Sequence, residues 1–226
     1  MKEIYISSHG DFLDRIIIKK RLELCDFINK KLNKSKILNV LDIGTTKDII
    51  YRSSNFIVKN LKNIQQYKSL SNQIIKDKFF QRIVTANISK KIHVRKIHLL
   101  KSDLVISNAT IEHVGNFKNQ LEMVKNMKNL TRKIFILITP NRYHPLEFHT
   151  KIPLIHWLPK KIHRIILKFL NLSFFSYEKN LNLLSVNDIK ILLKKAKVNN
   201  YKIFYLYFLG FKSNIIVIAK RSINSN

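Results

Sequence analysis

Ile37-Leu38-Asn39-Val40-Leu41-Asp42-Ile43-Gly44-Thr45-Thr46 sets a short apolar run against an acid, a glycine and two hydroxyls. Such a run reads as a strand buried on both faces that ends in a tight turn. Runs of the same kind recur at Ile83-Val84-Thr85-Ala86, at Asp103-Leu104-Val105-Ile106-Ser107 and at Lys133-Ile134-Phe135-Ile136-Leu137-Ile138. Between them the period lengthens: Phe117, Leu121, Val124 and Met127 or Lys128 fall at helical spacing within Asn116 to Asn129. Upstream, residues 11 to 33 place Phe12, Ile16, Ile17, Leu24, Phe27, Ile28 and Leu32 near one face of a helix, with Lys19, Lys20, Arg21, Lys30 and Lys31 elsewhere. Strands alternating with helices imply an α/β fold built on a parallel sheet.

The end of the chain departs from that pattern. Ser185-Val186-Asn187-Asp188 has capping-box spacing before Ile189, Leu192, Leu193 and Ala196, so a helix starts there. Two apolar runs follow, Tyr201 to Leu209 and Ile215 to Ala219, with only Gly210-Phe211-Lys212-Ser213-Asn214 between them. So short a link joins antiparallel strands and cannot make a parallel crossover. All four prolines lie between positions 140 and 159, which makes Thr139 to Pro159 a fixed-shape loop leaving the fifth strand. Lys160 to Leu172 then reads as a basic amphipathic helix, with Ile162, Ile165, Ile166, Phe169 and Leu170 expected inward over the substrate side of the sheet. Peripheral contact with an anionic membrane surface is its alternative reading. The expected organisation is a single domain over 1–226: an N-terminal helix at 11–33, a core at 36–141, an insertion capping it at 142–184, and a C-terminal helix and hairpin at 185–220.

Composition sets the outer limits. With 226 residues, 46% of them apolar, the chain builds a sizeable core and is not disordered. No apolar run approaches the ~18 to 20 residues of a spanning helix. The start, MKEIYISSHGDF, lacks the apolar stretch of a signal peptide, so a cytoplasmic location is expected. The lone Cys25 excludes a disulfide framework and fits a reducing compartment. A formal charge of +28, from 42 Lys+Arg against 14 Asp+Glu, draws anionic partners. Yet 33 of those cations are scattered Lys and only 9 are Arg, the residue suited to bidentate phosphate and base recognition. A solvated basic surface is therefore favoured over a nucleic-acid footprint.

Ligands of open α/β sheets bind beyond the carboxyl ends of the strands. Gly44 would let a ligand approach the backbone there, and Asp42 can accept bonds from a cationic amine or orient a water. Thr46 stands where a second glycine would complete a phosphate-cradling loop, which argues against such a cradle.

Asp42-Ile43-Gly44 resembles the first motif of class I S-adenosylmethionine-dependent methyltransferases. Ser102 to Val114, with its Glu112-His113-Val114 ending, resembles their fourth-strand motif. Thr139-Pro140-Asn141-Arg142-Tyr143 is similar to the fifth-strand exit of a methyltransferase type 11 subgroup, and the terminal antiparallel hairpin fits the same family. The resemblance covers roughly residues 36 to 220. It implies a Rossmann-like sheet, mostly parallel with an antiparallel C-terminal hairpin strand, and S-adenosyl-L-methionine as cofactor.

Carried over position by position, the resemblance puts Asp42 and Gly44 against the methionine part of the cofactor, with Asp42 toward its ammonium group, and Thr45 is a further expected cofactor contact. Asn108 and Ala109 would border the sulfonium, and Glu112 and His113 would open the next helix. The family's ribose-binding acid is missing: the second strand offers Ser69 or Ser71, of which Ser71 is the expected cofactor contact. Asn87 stands where an Asp commonly meets the adenine amine, and is expected to accept through its carbonyl oxygen. Ser53-Ser54-Asn55-Phe56 resembles a Ser-Asn pair of the subgroup and is read as capping a helix.

Methyl transfer demands placement more than acid–base power, although an oxygen nucleophile still gains from a base. His113, His144, His149 and Glu147 are the available groups, and the catalytic role is assigned to His113 and His149. No metal is expected, because His144, His149 and His156 show no repeated ligand spacing or carboxylate cluster. The leading reading is an enzyme methylating a small-molecule or glycan-like acceptor. An RNA methyltransferase using the basic surface, and a degenerate binding protein whose pocket is filled by Tyr51 or Phe56, stand against it.

Overall fold

The computed structural model describes residues 11–33, 35–47 and 54–221. Tyr51 and Ser53, and the side chains of Phe12 and Ile17, lie outside the described residues. In chain order the elements are α1 (Asp11–Leu32), β1 (Asn39–Ile43), α2 (Phe56–Lys59), β2 (Gln66–Ser71), β3 (Arg82–Thr85), α3 (Val94–Leu100), β4 (Ser102–Asn108), α4 (Phe117–Leu130), β5 (Thr131–Pro140), α5 (Lys160–Phe169), α6 (Ser173–Ser176), α7 (Val186–Lys195), β6 (Tyr201–Phe208) and β7 (Phe211–Lys220).

The strands form one sheet in the order β3-β2-β1-β4-β5-β7-β6. Strands β1 to β5 pair in parallel, and β7 runs antiparallel to both β5 and β6. Strand alternation sorts the apolar side chains onto two faces. Val40, Leu104, Ile106, Ile134, Ile136 and Ile138 pack against α1 and α2. Leu41, Ile43, Val105, Phe135 and Leu137 pack against α3, α4 and α7. Both faces of β1 and β4 are therefore covered, which is why their sequences read as continuous apolar runs.

Three details differ from the expectations. The hairpin link is only Leu209-Gly210, and both residues have positive φ (51° and 79°), as a two-residue turn between right-twisted strands requires. The inward face of α4 is Gln120, Met123, Val124, Met127 and Leu130, while Phe117 sits at the surface. Helix α5 is turned over relative to its apolar face. His163 and Leu167 are its buried residues, with Leu167 joining Phe175, Leu181 and Leu183 in a small separate cluster. Ile162, Ile165, Phe169 and Leu170 are exposed, Phe169 at 90%. Only the His163–Leu167 side of α5 meets the cluster beneath it, and the strongly apolar side faces out.

The capping box at the start of α7 forms as its spacing implies: Ser185 Oγ accepts from the Asp188 N–H at 3.2 Å, and Asp188 Oδ2 accepts from the Ser185 N–H at 2.8 Å. Among the described residues no helix is long and apolar enough to cross a membrane.

Candidate functional site

Adjacent strands β1 and β4 end side by side, with Asp42 in register with Ile106 and Ile43 with Ser107. Neighbours continue to β2 on one side and β5 on the other, so the order of the sheet reverses between these two strand ends. Gly44 turns the chain there with φ of 89°, and a Cβ on it would lie 2.1 Å from Thr110 Oγ1. Glycine is required by both the backbone angle and this close approach. Asp42 is buried at 8% exposure, and its Oδ2 accepts from Thr45 Oγ1 at 2.6 Å. Burial pushes its carboxyl up from 3.8 to about 6, against the pull of the Thr45 hydrogen bond.

Thr45 is the hub of a small polar network. Its Oγ1 accepts from Ser69 Oγ at 2.9 Å, and its carbonyl accepts from Ser71 Oγ at 2.7 Å. Ser71 Oγ also accepts from the Gln73 N–H at 3.1 Å, so this buried hydroxyl braces the turn instead of facing out as a ribose contact. Asn87 differs from its expected role in a similar way. Its Oδ1 accepts from both the N–H and the hydroxyl of Ser89, at 2.9 and 2.7 Å, which occupies both lone pairs and leaves the amide nitrogen as its outward group. Asn108 ends β4 half-buried. The exposed Ala109 next to it takes φ of 50° and donates its N–H to Ile138 O.

Asn55 precedes α2, but its side chain does not cap that helix. It grips the glycine turn instead: Oδ1 accepts from the Thr46 N–H and Nδ2 donates to Thr46 O, both at 3.0 Å. Phe56 packs into the core on the α1 side and does not plug the rim.

One step away, on the β5 side, three segments converge. Glu112 and His113 lie in a 3₁₀ turn, Ile111–His113, that follows β4. Glu147 and His149 lie in the loop after β5, and Thr139 lies near the end of β5 itself. His113 Nε2 and His149 Nε2 are 3.1 Å apart. His149 Nδ1 donates to Glu147 Oε1 at 2.7 Å, and His113 Nδ1 donates to Asn180 O at 2.6 Å. Burial opposes the charge on Glu147, but hydrogen bonds from His149 and Thr150 outweigh it and hold the carboxyl at about 2. Burial likewise opposes charge on His149, yet Glu147 and then Glu112 raise it above its ordinary value. For His113 burial prevails over Glu112 and lowers it. Both rings remain partly accessible, at 18% and 16%.

Several solved structures similar to this chain share this frame. Magnesium protoporphyrin IX methyltransferase (ChlM) from Synechocystis PCC 6803, with bound S-adenosylhomocysteine, aligns over 97% of this chain and 91% of its own, at TM-score 0.55 and 12% identity. The Burkholderia thailandensis 1,6-didemethyltoxoflavin-N1-methyltransferase aligns over 90% of this chain and 78% of its own, at TM-score 0.55 and 9% identity. The N-methyltransferase NodS from Bradyrhizobium japonicum WM9 aligns over 92% and 97%, at TM-score 0.54 and 8% identity. The fold is that of the class I S-adenosylmethionine-dependent methyltransferases. No protein-family model matches the sequence, and no curated protein matches it.

Within this methyltransferase fold the remaining histidines of the proline-rich loop are structural. His144 is buried, stacks on Phe148 and contacts Leu146 O through Nδ1, and its carbonyl takes the Nε2 proton of buried His156 at 2.7 Å. The Arg142 guanidinium ties the same loop to the carbonyls of His156 and Leu158. A cavity of about 20 Å³ within the insertion, lined by Arg142, His156, Lys160, His163 and Asn182, has room for about one water and none for an acceptor. Asn182 fastens the insertion to the core, its N–H donating to Glu112 O and its Nδ2 to Gly115 O. The contacts that Asn55, Thr110, Thr139 and Asn180 make here were not expected from the sequence, which read Asn55 as a helix cap and carried Thr110 and Thr139 only inside longer motifs. Only Asn55, a residue type that readily bonds nearby backbone, carried a local signal.

Proposed function

We propose that the chain transfers the methyl group of S-adenosyl-L-methionine to an oxygen of a small-molecule or glycan-like acceptor in the cytoplasm. The observation that carries this reading is the meeting of Asp42 and Gly44 with Asn108 and Ala109 where the sheet order reverses, in a fold whose solved relatives include one holding S-adenosylhomocysteine. Asp42 would take the cofactor's ammonium group, and Gly44 would give its backbone close approach. Asn87 would offer its amide nitrogen to the base. With no carboxylate at the end of β2, the ribose loses a charged hydrogen bond of about 1.5–3 kcal/mol.

Acceptor access is shaped by residues 142–184. His149, within that cap, pairs with His113 in the turn after β4, and the two would polarise the O–H of the acceptor. The enzyme is tested by incubation with methyl-labelled S-adenosylmethionine and, in parallel, a panel of hydroxylated small molecules and saccharides and a pool of RNA. Label is expected in the small-molecule panel and not with Asp42→Ala. Label in RNA alone would overturn the acceptor assignment, and no transfer to any acceptor together with no cofactor binding would overturn the enzyme.

A further inference from the structure

His113 and His149 meet nitrogen to nitrogen, with their Nε2 atoms 3.1 Å apart. The Nδ1 of each ring faces a group that only accepts, the carbonyl of Asn180 for His113 and the Glu147 carboxylate for His149. Both Nδ1 atoms therefore carry a hydrogen, which leaves the two Nε2 atoms as the positions that face each other. At this distance the two nitrogens are bridged either by a hydrogen bond or by a metal ion. A proton would serve two nitrogens, but a third donor is present. Glu112 Oε1 is completely buried, makes no hydrogen bond among the described residues, and lies 4.0 Å from His113 Nε2.

We propose that Glu112, His113 and His149 form a binding site for a divalent transition-metal ion of the zinc class. Their three ligand atoms all lie within 4.8 Å of one another. In a tetrahedral zinc site with bonds of about 2.0–2.1 Å, neighbouring ligand atoms are about 3.3 Å apart. The histidine pair already has nearly that separation, and the carboxylate, 4.0 Å from His113 Nε2, has to move in by about 1 Å. Two imidazoles and one carboxylate suit zinc and its neighbours better than magnesium or calcium, which prefer all-oxygen shells.

The outer shell is complete as well. Asn180 O holds His113, Glu147 holds His149, and Thr139 Oγ1 donates to Glu112 Oε2 at 3.0 Å, so every ligand is oriented from behind. The absence of metal expected from the sequence rested on His144, His149 and His156. The structure gives His144 and His156 to the loop and pairs His149 with His113.

Three protein ligands leave a fourth position open to the partly accessible side of the two rings. Its use rests on the methyl-transfer reading. An acceptor hydroxyl bound there releases its proton to solvent, and its electron pair forms the bond to the methyl carbon. The carbon–sulfur pair returns to sulfur, which leaves as a neutral thioether.

The site is tested on full-length protein stripped with a chelator, titrated with Zn²⁺ by calorimetry and with Co²⁺ by visible absorption. One ion per chain is expected, with the intense bands of tetrahedral cobalt. His149→Ala and Glu112→Gln should each abolish those bands or weaken binding at least tenfold, Glu147→Gln should weaken binding by about 10–100-fold, and exposed His98→Ala should leave it unchanged. Circular dichroism checks that each variant folds, and S-adenosylhomocysteine titration of the same samples separates the two readings. Zinc binding without S-adenosylhomocysteine binding keeps the metal site and removes the methyl-transfer role. A native chain that binds no zinc, or binding that survives both His149→Ala and Glu112→Gln, overturns the proposal and assigns a proton to the gap.

Discussion

Thr45 Oγ1 stands 2.6 Å from Asp42 Oδ2 and donates to a carboxyl group that water hardly reaches. With only that bond to offset burial, the folded chain holds the Asp42 proton up to about pH 6, whereas the unfolded chain releases it near 3.8. Protons are thus bound more tightly by the folded state, and the free protein loses stability as pH rises from about 4 through about 6.

Asp42→Asn removes that liability while preserving shape. The variant is expected to be more stable than the native chain at pH 7, by on the order of 3 kcal/mol at most, with the difference vanishing near pH 4. Denaturant unfolding of both proteins across this range measures it. The same substitution should cost cofactor binding, because a neutral amide gives the ammonium group a hydrogen-bond acceptor but no opposite charge. Affinity of the native chain for S-adenosylhomocysteine should climb as pH rises through about 6 and then level off.

Gly44→Ala puts a methyl group 2.1 Å from Thr110 Oγ1 at a residue with φ of 89°. Strain of this kind costs about 1–3 kcal/mol before the clash is added. Urea unfolding should show a loss of at least that size, and S-adenosylhomocysteine should no longer bind. A loss below about 0.5 kcal/mol would mean that the β1 turn is not packed against Thr110.

The two faces of α5 make opposite forecasts. Ile165→Gln and Phe169→Gln alter side chains at 62% and 90% exposure and should change stability by less than about 0.5 kcal/mol. Leu167→Ala empties a fully buried position and should cost about 2–5 kcal/mol. Reversed magnitudes in urea unfolding would place the apolar stripe inward.

Cys25 lies buried in α1 against the sheet, where burial pushes its thiol up to about 12. A thiol so protonated is a poor nucleophile. Labelling by a disulfide reagent at pH 8 is expected to be negligible in the native protein and complete in denaturant. Rapid labelling of the native chain would show that α1 is not docked as described.

Much of the frame was legible in the sequence. Parallel strands buried on both faces write themselves as runs such as Ile134 to Ile138, and a link too short for a crossover betrayed the reversed strand. Helix α5 was misread because apolar residues need not be inside. Nothing local shows that His163 and Leu167, not Ile165 and Phe169, meet the small cluster of the insertion. Asp42 and Gly44 are neighbours in sequence and could be read as a unit. The partners of His113 could not, since His149 is 36 positions away and Asn180 is 67, and only the fold brings them together. Ser71 and Asn87 were placed at the right strand ends, yet their bonds to Thr45, Gln73 and Ser89 depend on a turn geometry that the sequence does not spell out.

The most direct measurement is calorimetric titration of S-adenosylhomocysteine into the native chain and Asp42→Ala at pH 7.5. One molecule should bind per native chain and none to the variant, with both proteins giving the same circular dichroism. Equal binding to the two proteins, or none to the native chain, would contradict the cofactor site at the β1 turn.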